Sequence, residues 1–163
     1  MSLTVISWLF TLGVLAHNAE EAVSLPAWTL NAGRWHSPVG KAEFRFAVGA
    51  LSGLLVVVTA AASTSEAGSI AAYLMAGYVL AMVLNVFIPH VLASIIMRKY
   101  MPGTATALLF DLPLGLWYLS KALAESRIDS GIFLWSGPLT VLAIVVSIPG
   151  LFALGRNLFP PTV

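Results

Sequence analysis

Three ionisable side chains lie close together in the segment His17-Asn18-Ala19-Glu20-Glu21. His17 precedes Glu20 by three residues and Glu21 by four, so a helix would place all three side chains on one face. Neutral imidazole and carboxylate oxygen are ligands that suit zinc, iron or manganese. In four-helix carboxylate proteins a Glu-x-x-His pair places two ligands inward, and His17-x-x-Glu20 has the reverse order at the same spacing. The segment predicts a metal site, with Glu21 as a further ligand or a general base.

The composition predicts that this segment lies in a membrane protein. Of the 163 residues, 59% are hydrophobic and only 9% are charged, whereas about a quarter of the residues of a soluble domain are charged. A membrane-spanning helix needs roughly 20 predominantly apolar residues, and five segments qualify. They predict one all-α transmembrane domain over residues 1–163, with spans at about 3–25, 44–62, 69–97, 104–122 and 132–155. The first is the least apolar, so four spans with a half-inserted first helix is an alternative.

The alternation of spans brings two distant residues to the depth of the motif. His17 lies near the end of the first span, and the third span runs towards that same side. At a rise of 1.5 Å per residue His90 lies roughly 12 Å from that end, and Asp111 lies about 10 Å into the fourth span. Pro89 frees the carbonyl of Asn85, and a kink there could turn His90 towards the first helix.

The predicted membrane interior contains acids but no bases. Glu20, Glu21 and Asp111 are three of the seven acidic residues, and none of the eight Lys and Arg residues lies deep within a span. A charge at a helix centre costs about 2.5–3.5 kcal/mol, so these acids need a proton, an interfacial base or a bound cation. With two histidines nearby, we expect a divalent transition metal, bound by His17, Glu20 and His90. Asp111 would be a ligand or would orient one.

The Lys and Arg positions predict the orientation of the chain in the membrane. Six of the eight lie around the first and third connections and after the fifth span, which places these regions in the cytoplasm and the N-terminus outside, whereas Lys121 and Arg127 lie in the fourth connection and weaken this asymmetry. The six residues concerned are Arg34, Lys41, Arg45, Arg98, Lys99 and Arg156.

A rival interpretation of the motif pairs its carboxylates with Arg34 or Arg45 at the interface. The first residues lack a basic segment and a cleavage pattern, so we expect the N-terminus to be retained.

The motif resembles a known family. His17-Asn18-Ala19-Glu20-Glu21 matches the pattern that names the HXXEE-domain family of mostly bacterial integral membrane proteins. His90 and the run Tyr100-Met101-Pro102-Gly103 resemble its later histidine and its Tyr-x-Pro-Gly motif, in the same order. The resemblance covers most of the chain. It implies that His17, Glu20, Glu21 and His90 are functionally important, and that the protein lies in a bacterial inner membrane. The family has no assigned activity, and Asp111 is outside its pattern.

The predicted function is an intramembrane metal-dependent enzyme that acts on a lipid or apolar substrate, by hydrolysis or by di-iron oxidation. The candidate catalytic residues are Glu21, Glu20, His17 and His90. One alternative is a small proton-coupled carrier that uses the same residues as a relay, although no internal repeat supports it. Another is a non-catalytic membrane subunit. Glutamate-dependent intramembrane proteases have a similar glutamate pair, but Leu25 stands where their motif has arginine.

Other features receive structural interpretations. We expect Gly49, Gly53, Gly77 and Gly115 to be points of close helix packing, Tyr100–Gly103 to form a turn and His36 to be solvated in a loop. The chain contains no cysteine, which excludes a disulfide framework and a thiolate metal site. The net charge is +1 and no basic run could follow phosphates, so nucleic acid is not an expected partner. Membrane lipids are the expected partners.

Overall fold

The computed structural model describes residues 1–33 and 38–160, and these residues form five helices without any strand. Helix α1 is Leu3–Thr29, α2 is Lys41–Thr64, α3 is Ile70–Met97, α4 is Thr104–Ala124 and α5 is Ser130–Leu158. Helices α2 to α5 are long and apolar enough to cross a membrane. The prediction of an all-α bundle with membrane-spanning helices is therefore confirmed. Arg34 and His36, which figured in two of the interpretations above, lie outside the described residues.

Helix α1 is long enough to span, but its second half carries the polar motif and it is not among the four apolar helices. It also runs past its predicted end at residue 25. Pro26 is inside the helix, and Leu25 and Thr29 are buried, so packing of this last turn outweighs the helix-breaking tendency of the proline. The Thr29 hydroxyl donates to the Pro26 carbonyl over 2.9 Å. The connection between the first two helices is therefore shorter than the predicted spans of 3–25 and 44–62 imply.

Both helices that face α1 at the motif have irregular segments. In α3 the residues Val86–Val91 form a π-helical turn, and Ile88 has non-helical dihedral angles of φ −129° and ψ 111°. This confirms the predicted kink beside Pro89. In α4 the residues Ala107–Asp111 form a second π-helical turn directly before Pro113. Such turns are rare in helices and are frequent at functional sites. His90 lies in the first of these turns and Asp111 in the second, and both side chains are fully buried.

The apolar core lies among α1 to α4, and α5 packs against α2 and α3. Gly77 and Gly115 are close-packing points, as predicted. A Cβ added at Gly77 would lie 2.5 Å from Cβ of Thr140 on α5, and one at Gly115 would lie 2.6 Å from Cγ2 of Val83 on α3. The same prediction is wrong for Gly49 and Gly53, where a Cβ would meet nothing within 4 Å. Both glycines lie on an exposed face of α2, which no other helix packs against at these positions.

The contrast between Gly77 and Gly53 gives a test of the bundle. We expect Gly77→Ala to destabilise the fold by roughly 1–3 kcal/mol, because the added methyl group overpacks the α3–α5 contact. Gly53→Ala is the matched control, since alanine is favoured in a helix and the site is open. Thermal unfolding of both variants in detergent measures the difference. Equal unfolding temperatures would contradict the α3–α5 packing described here.

Candidate metal centre

Helices α1 and α3 bring together the side chains of His17, Glu21 and His90. One ligand atom from each lies within 4.8 Å of the others. The Glu21 carboxylate lies between the two imidazoles, with Oε2 3.7 Å from Nε2 of His17 and Oε1 3.3 Å from Nε2 of His90. The two rings are nearly perpendicular, at 85°, with their centroids 4.8 Å apart. Three such groups converging on one point could hold a metal ion.

The nitrogen atoms at this point lack hydrogen-bond partners. His17 and His90 are 0% exposed, and the side chain of Glu21 is 13% exposed. Nε2 of His17 and both ring nitrogens of His90 are buried without a hydrogen bond. Native structures satisfy the large majority of buried polar side-chain atoms, and each unsatisfied one costs about 1–3 kcal/mol. Unpartnered imidazole nitrogens beside a carboxylate therefore fit a bound cation.

The surroundings of His17 determine which of its nitrogens is free. Nδ1 lies 3.1 Å from the carbonyl oxygen of Gly103, an atom that can only accept. A hydrogen on Nδ1 makes this contact a hydrogen bond and leaves a lone pair on Nε2, which faces Glu21. Metal-bound histidines are usually held in this way, with the second nitrogen donating to a carbonyl or carboxylate. The Gly103 carbonyl thus favours the tautomer that a metal requires.

Gly103 also shapes the space around both imidazoles. Its φ is +91°, a left-handed conformation that glycine adopts most readily. A Cβ at this position would lie 2.8 Å from Cε1 of His17 and 2.8 Å from Cε1 of His90. The turn predicted for Tyr100–Gly103 exists, and its glycine is part of the site. Sequence reasoning treated this run only as a turn, although the Tyr-x-Pro-Gly pattern was the signal that could have indicated a role.

Glu20 lies outside the three-residue group. Its Oε1 accepts a hydrogen bond of 2.6 Å from the Tyr100 hydroxyl, and its Oε2 accepts one of 2.8 Å from the Thr106 hydroxyl. The Tyr100 oxygen in turn accepts from the backbone N–H of Ala105. Burial and the Glu20 carboxylate raise the pKa of Tyr100, so its hydroxyl stays a donor at neutral pH. Glu20 therefore ties the turn and the start of α4 to α1. Sequence reasoning missed Thr106.

Asp111 lies on the other side of His17. It is 0% exposed, and neither of its carboxylate oxygens has a hydrogen-bond partner. Oδ2 is 3.7 Å from Nδ1 of His17, the nitrogen that faces away from Glu21. One ion cannot bind at Nε2 and also contact a carboxylate at Nδ1. Asp111 is therefore not placed as a ligand of that ion, and it does not hold the ring by a hydrogen bond either, because the Nδ1 hydrogen is directed at the Gly103 carbonyl.

The rival pairing of the motif with an interfacial arginine is not seen in the described residues. Arg45 donates from Nε to the carbonyl of Ala22 over 2.9 Å. Within residues 1–33 and 38–160, no Lys or Arg forms an ion pair with Glu20, Glu21 or Asp111. The ionisable cluster thus has only its own members as charged partners in this part of the chain.

The comparisons with known proteins fit this geometry. The family described as "Protein of unknown function with HXXEE motif" matches residues 8–118. This chain belongs to the HXXEE family. It is also 30% identical over 158 residues to the uncharacterized protein YrkK of Bacillus subtilis (strain 168), covering 93% of this chain and 96% of that protein. No solved structure matches. The HXXEE match includes every residue of the centre, from His17 to Asp111, whereas α5 lies beyond it.

Gly103 allows a test of the centre's geometry. We expect Gly103→Ala to destabilise the protein by roughly 2–4 kcal/mol, because the methyl group strains a left-handed backbone and also presses on both imidazoles. Gly68→Ala is the matched control, since Gly68 has φ +73° with nothing within 4 Å of an added Cβ. Thermal unfolding and amide exchange of residues 98–106 give the readout. If the two variants lose the same stability, Gly103 does not pack against the histidines.

Proposed function

We propose that the protein is an intramembrane metal-dependent enzyme that acts on a lipid or apolar substrate. His17, Glu21 and His90 hold a divalent transition metal: zinc, iron or manganese. The observation that carries the proposal is the pair of buried Nε2 atoms, one from His17 and one from His90, that lack hydrogen-bond partners and lie next to the Glu21 carboxylate. Neutral imidazole and carboxylate are common ligands of these metals. Three protein ligands leave a coordination position for water or substrate, as in catalytic zinc sites.

The ligand number favours hydrolysis over di-iron oxidation. A di-iron centre in helical carboxylate proteins uses four glutamates and two histidines, and here Glu20 is bound to Tyr100 and Thr106 instead. A single bound metal would supply Lewis acidity and lower the pKa of a water. The protein residues then have separate tasks. The Gly103 carbonyl orients His17, Glu20 fixes the turn, and Glu21 is the carboxylate ligand between the two histidines.

The cellular setting of the proposal is a bacterial inner membrane, with the N-terminus outside and the C-terminus in the cytoplasm. The basic residues Lys41 and Arg45 at the start of α2, Arg98 at the end of α3 and Arg156 near the end of α5 support it. Because successive helices cross the membrane in opposite directions, the start of α2 and the ends of α3 and α5 lie on the same side of the bundle. The centre lies towards the same side, and membrane lipids are the expected partners.

A proton-coupled carrier is the second candidate. Asp111, His17, Glu21 and His90 form a buried series in which successive groups are 3.7, 3.7 and 3.3 Å apart. Such a series of acids and histidines could pass protons through the bundle. Proton flux in liposomes that Glu21→Gln abolishes, without any bound metal in the wild-type protein, would favour the carrier over the enzyme.

Metal analysis distinguishes the adjacent glutamates. We expect one transition metal per chain in detergent-purified protein, and at least a roughly tenfold loss of metal affinity in His17→Ala, His90→Ala and Glu21→Gln, because each removes a ligand. Glu20→Gln should retain the metal more fully, since its carboxylate lies outside the cluster. Elemental analysis after dialysis against a weak chelator gives the measurement.

The control variant is Glu125→Gln, at an exposed glutamate that pairs with Lys121 at the end of α4. It should keep the wild-type metal content. Wild-type protein without stoichiometric transition metal, and indistinguishable from His17→Ala, would overturn the metal proposal. Equal losses in Glu20→Gln and Glu21→Gln would overturn the ligand assignment.

A further inference from the structure

An apolar cavity of about 350 Å³ adjoins the candidate metal centre. It lies among α1, α2, α3 and α5, and Glu21 is the charged residue in its lining. Most of the wall is aliphatic or aromatic, including Phe44, Met82, Ile144 and Phe152. Its volume is within the range of about 300–1,000 Å³ that is typical of small-molecule sites. The cavity therefore joins an apolar space to the carboxylate between the two histidines.

Few polar groups in the wall are open to an occupant. The lining has three neutral polar side chains, and two of them are already bonded within the protein. Asn18 donates to the Ser52 hydroxyl over 2.9 Å, and Tyr78 donates to the Leu51 carbonyl over 3.0 Å. This leaves Asn85 and Glu21. A polar solute would lose its hydration here without replacement hydrogen bonds, which is costly, whereas a hydrocarbon chain would not.

The cavity has lining residues on the outer surface of the bundle. Leu84, Ile88 and Val145, from α3 and α5, are 48%, 69% and 55% exposed. Both helices are apolar enough to span a membrane, so these side chains face the lipid tails. A lipid chain could enter between them without crossing water. The kink of α3 at Ile88 lies at this opening.

We propose that this cavity binds one hydrocarbon chain of a membrane lipid, with the oxygen-bearing polar end of that chain against Glu21. The inference rests on the proposed function and gives it a substrate class: a lipid whose reacting group lies next to a long alkyl chain. The chain enters from the bilayer between α3 and α5. The apolar wall fixes the chain, and Glu21, which lies between the two imidazoles, receives the polar end.

The test uses a phosphatidylcholine with a diazirine in the middle of one acyl chain, incorporated into liposomes with the full-length protein. Irradiation followed by peptide mapping should find label on the cavity segments of α3 and α5. Ala81→Trp, within the lining, should reduce that label about fivefold, because an indole occupies much of a cavity of this size. Val145→Trp, at an exposed lining position, is a second variant that changes less of the packed interior.

The matched control is Ala143→Trp. Ala143 lines a second apolar groove of about 320 Å³ between α2, α3 and α5, which shares Tyr78 and Ile144 with the cavity but contains neither Glu21 nor Asn18. This variant should leave cavity labelling unchanged. Label spread evenly over the lipid-facing surface, or unaffected by both Ala81→Trp and Val145→Trp, would overturn the proposal.

Elemental analysis of the same samples separates the two proposals. We expect both cavity variants to retain the wild-type metal content, because Ala81 and Val145 are outside the ligand group. Protein without metal that still shows cavity-specific labelling would overturn the enzyme and support the chain-binding cavity. Protein with stoichiometric metal but without cavity-specific labelling would overturn the cavity and keep the metal centre.

Discussion

The structure depends on a largely buried carboxylate that lies between two imidazoles in an apolar bundle. Glu21 is close to both His17 and His90, and no Lys or Arg of the described residues pairs with it. In a low-dielectric interior such a group must be neutralised locally, by protons or by a cation. The irregular backbone follows from this requirement. The π-helical turn of α3 delivers His90 to the carboxylate, and the turn ending at Gly103 brings a carbonyl to His17.

The two neighbouring glutamates of the motif have different partners. Glu21 faces the histidines, whereas Glu20 accepts hydrogen bonds from Tyr100 and Thr106. Through these bonds one carboxylate fixes the segment that shapes the space around the other. This explains physically why a His-x-x-Glu-Glu segment and a Tyr-x-Pro-Gly run occur together in one chain. The first supplies ligand atoms and an anchor, and the second supplies the anchored turn.

Much of this arrangement could be predicted from the sequence. Apolar segment lengths indicated the spanning helices, and Pro89 together with span alternation indicated that His90 would meet His17. The direction of Glu20 could not be predicted, because positions three and four residues after His17 share one helix face. Glu20 and Glu21 face different partners because Glu20 is bonded to Tyr100 and Thr106, and the positions of those two residues follow from tertiary packing. Likewise Gly53 and Gly77 look alike in sequence, and only the placement of α5 distinguishes them.

The burial of the centre limits how a substrate could reach it. His17 and His90 are fully buried, so Glu21 is the one member of the group with an exposed part. The side chain of Glu21 also lines the apolar cavity. Any molecule that reaches the imidazoles along this cavity therefore first contacts Glu21. Under the proposed function, an apolar approach that ends at a carboxylate favours molecules with a hydrocarbon body and one polar end, because the apolar wall excludes a fully polar molecule.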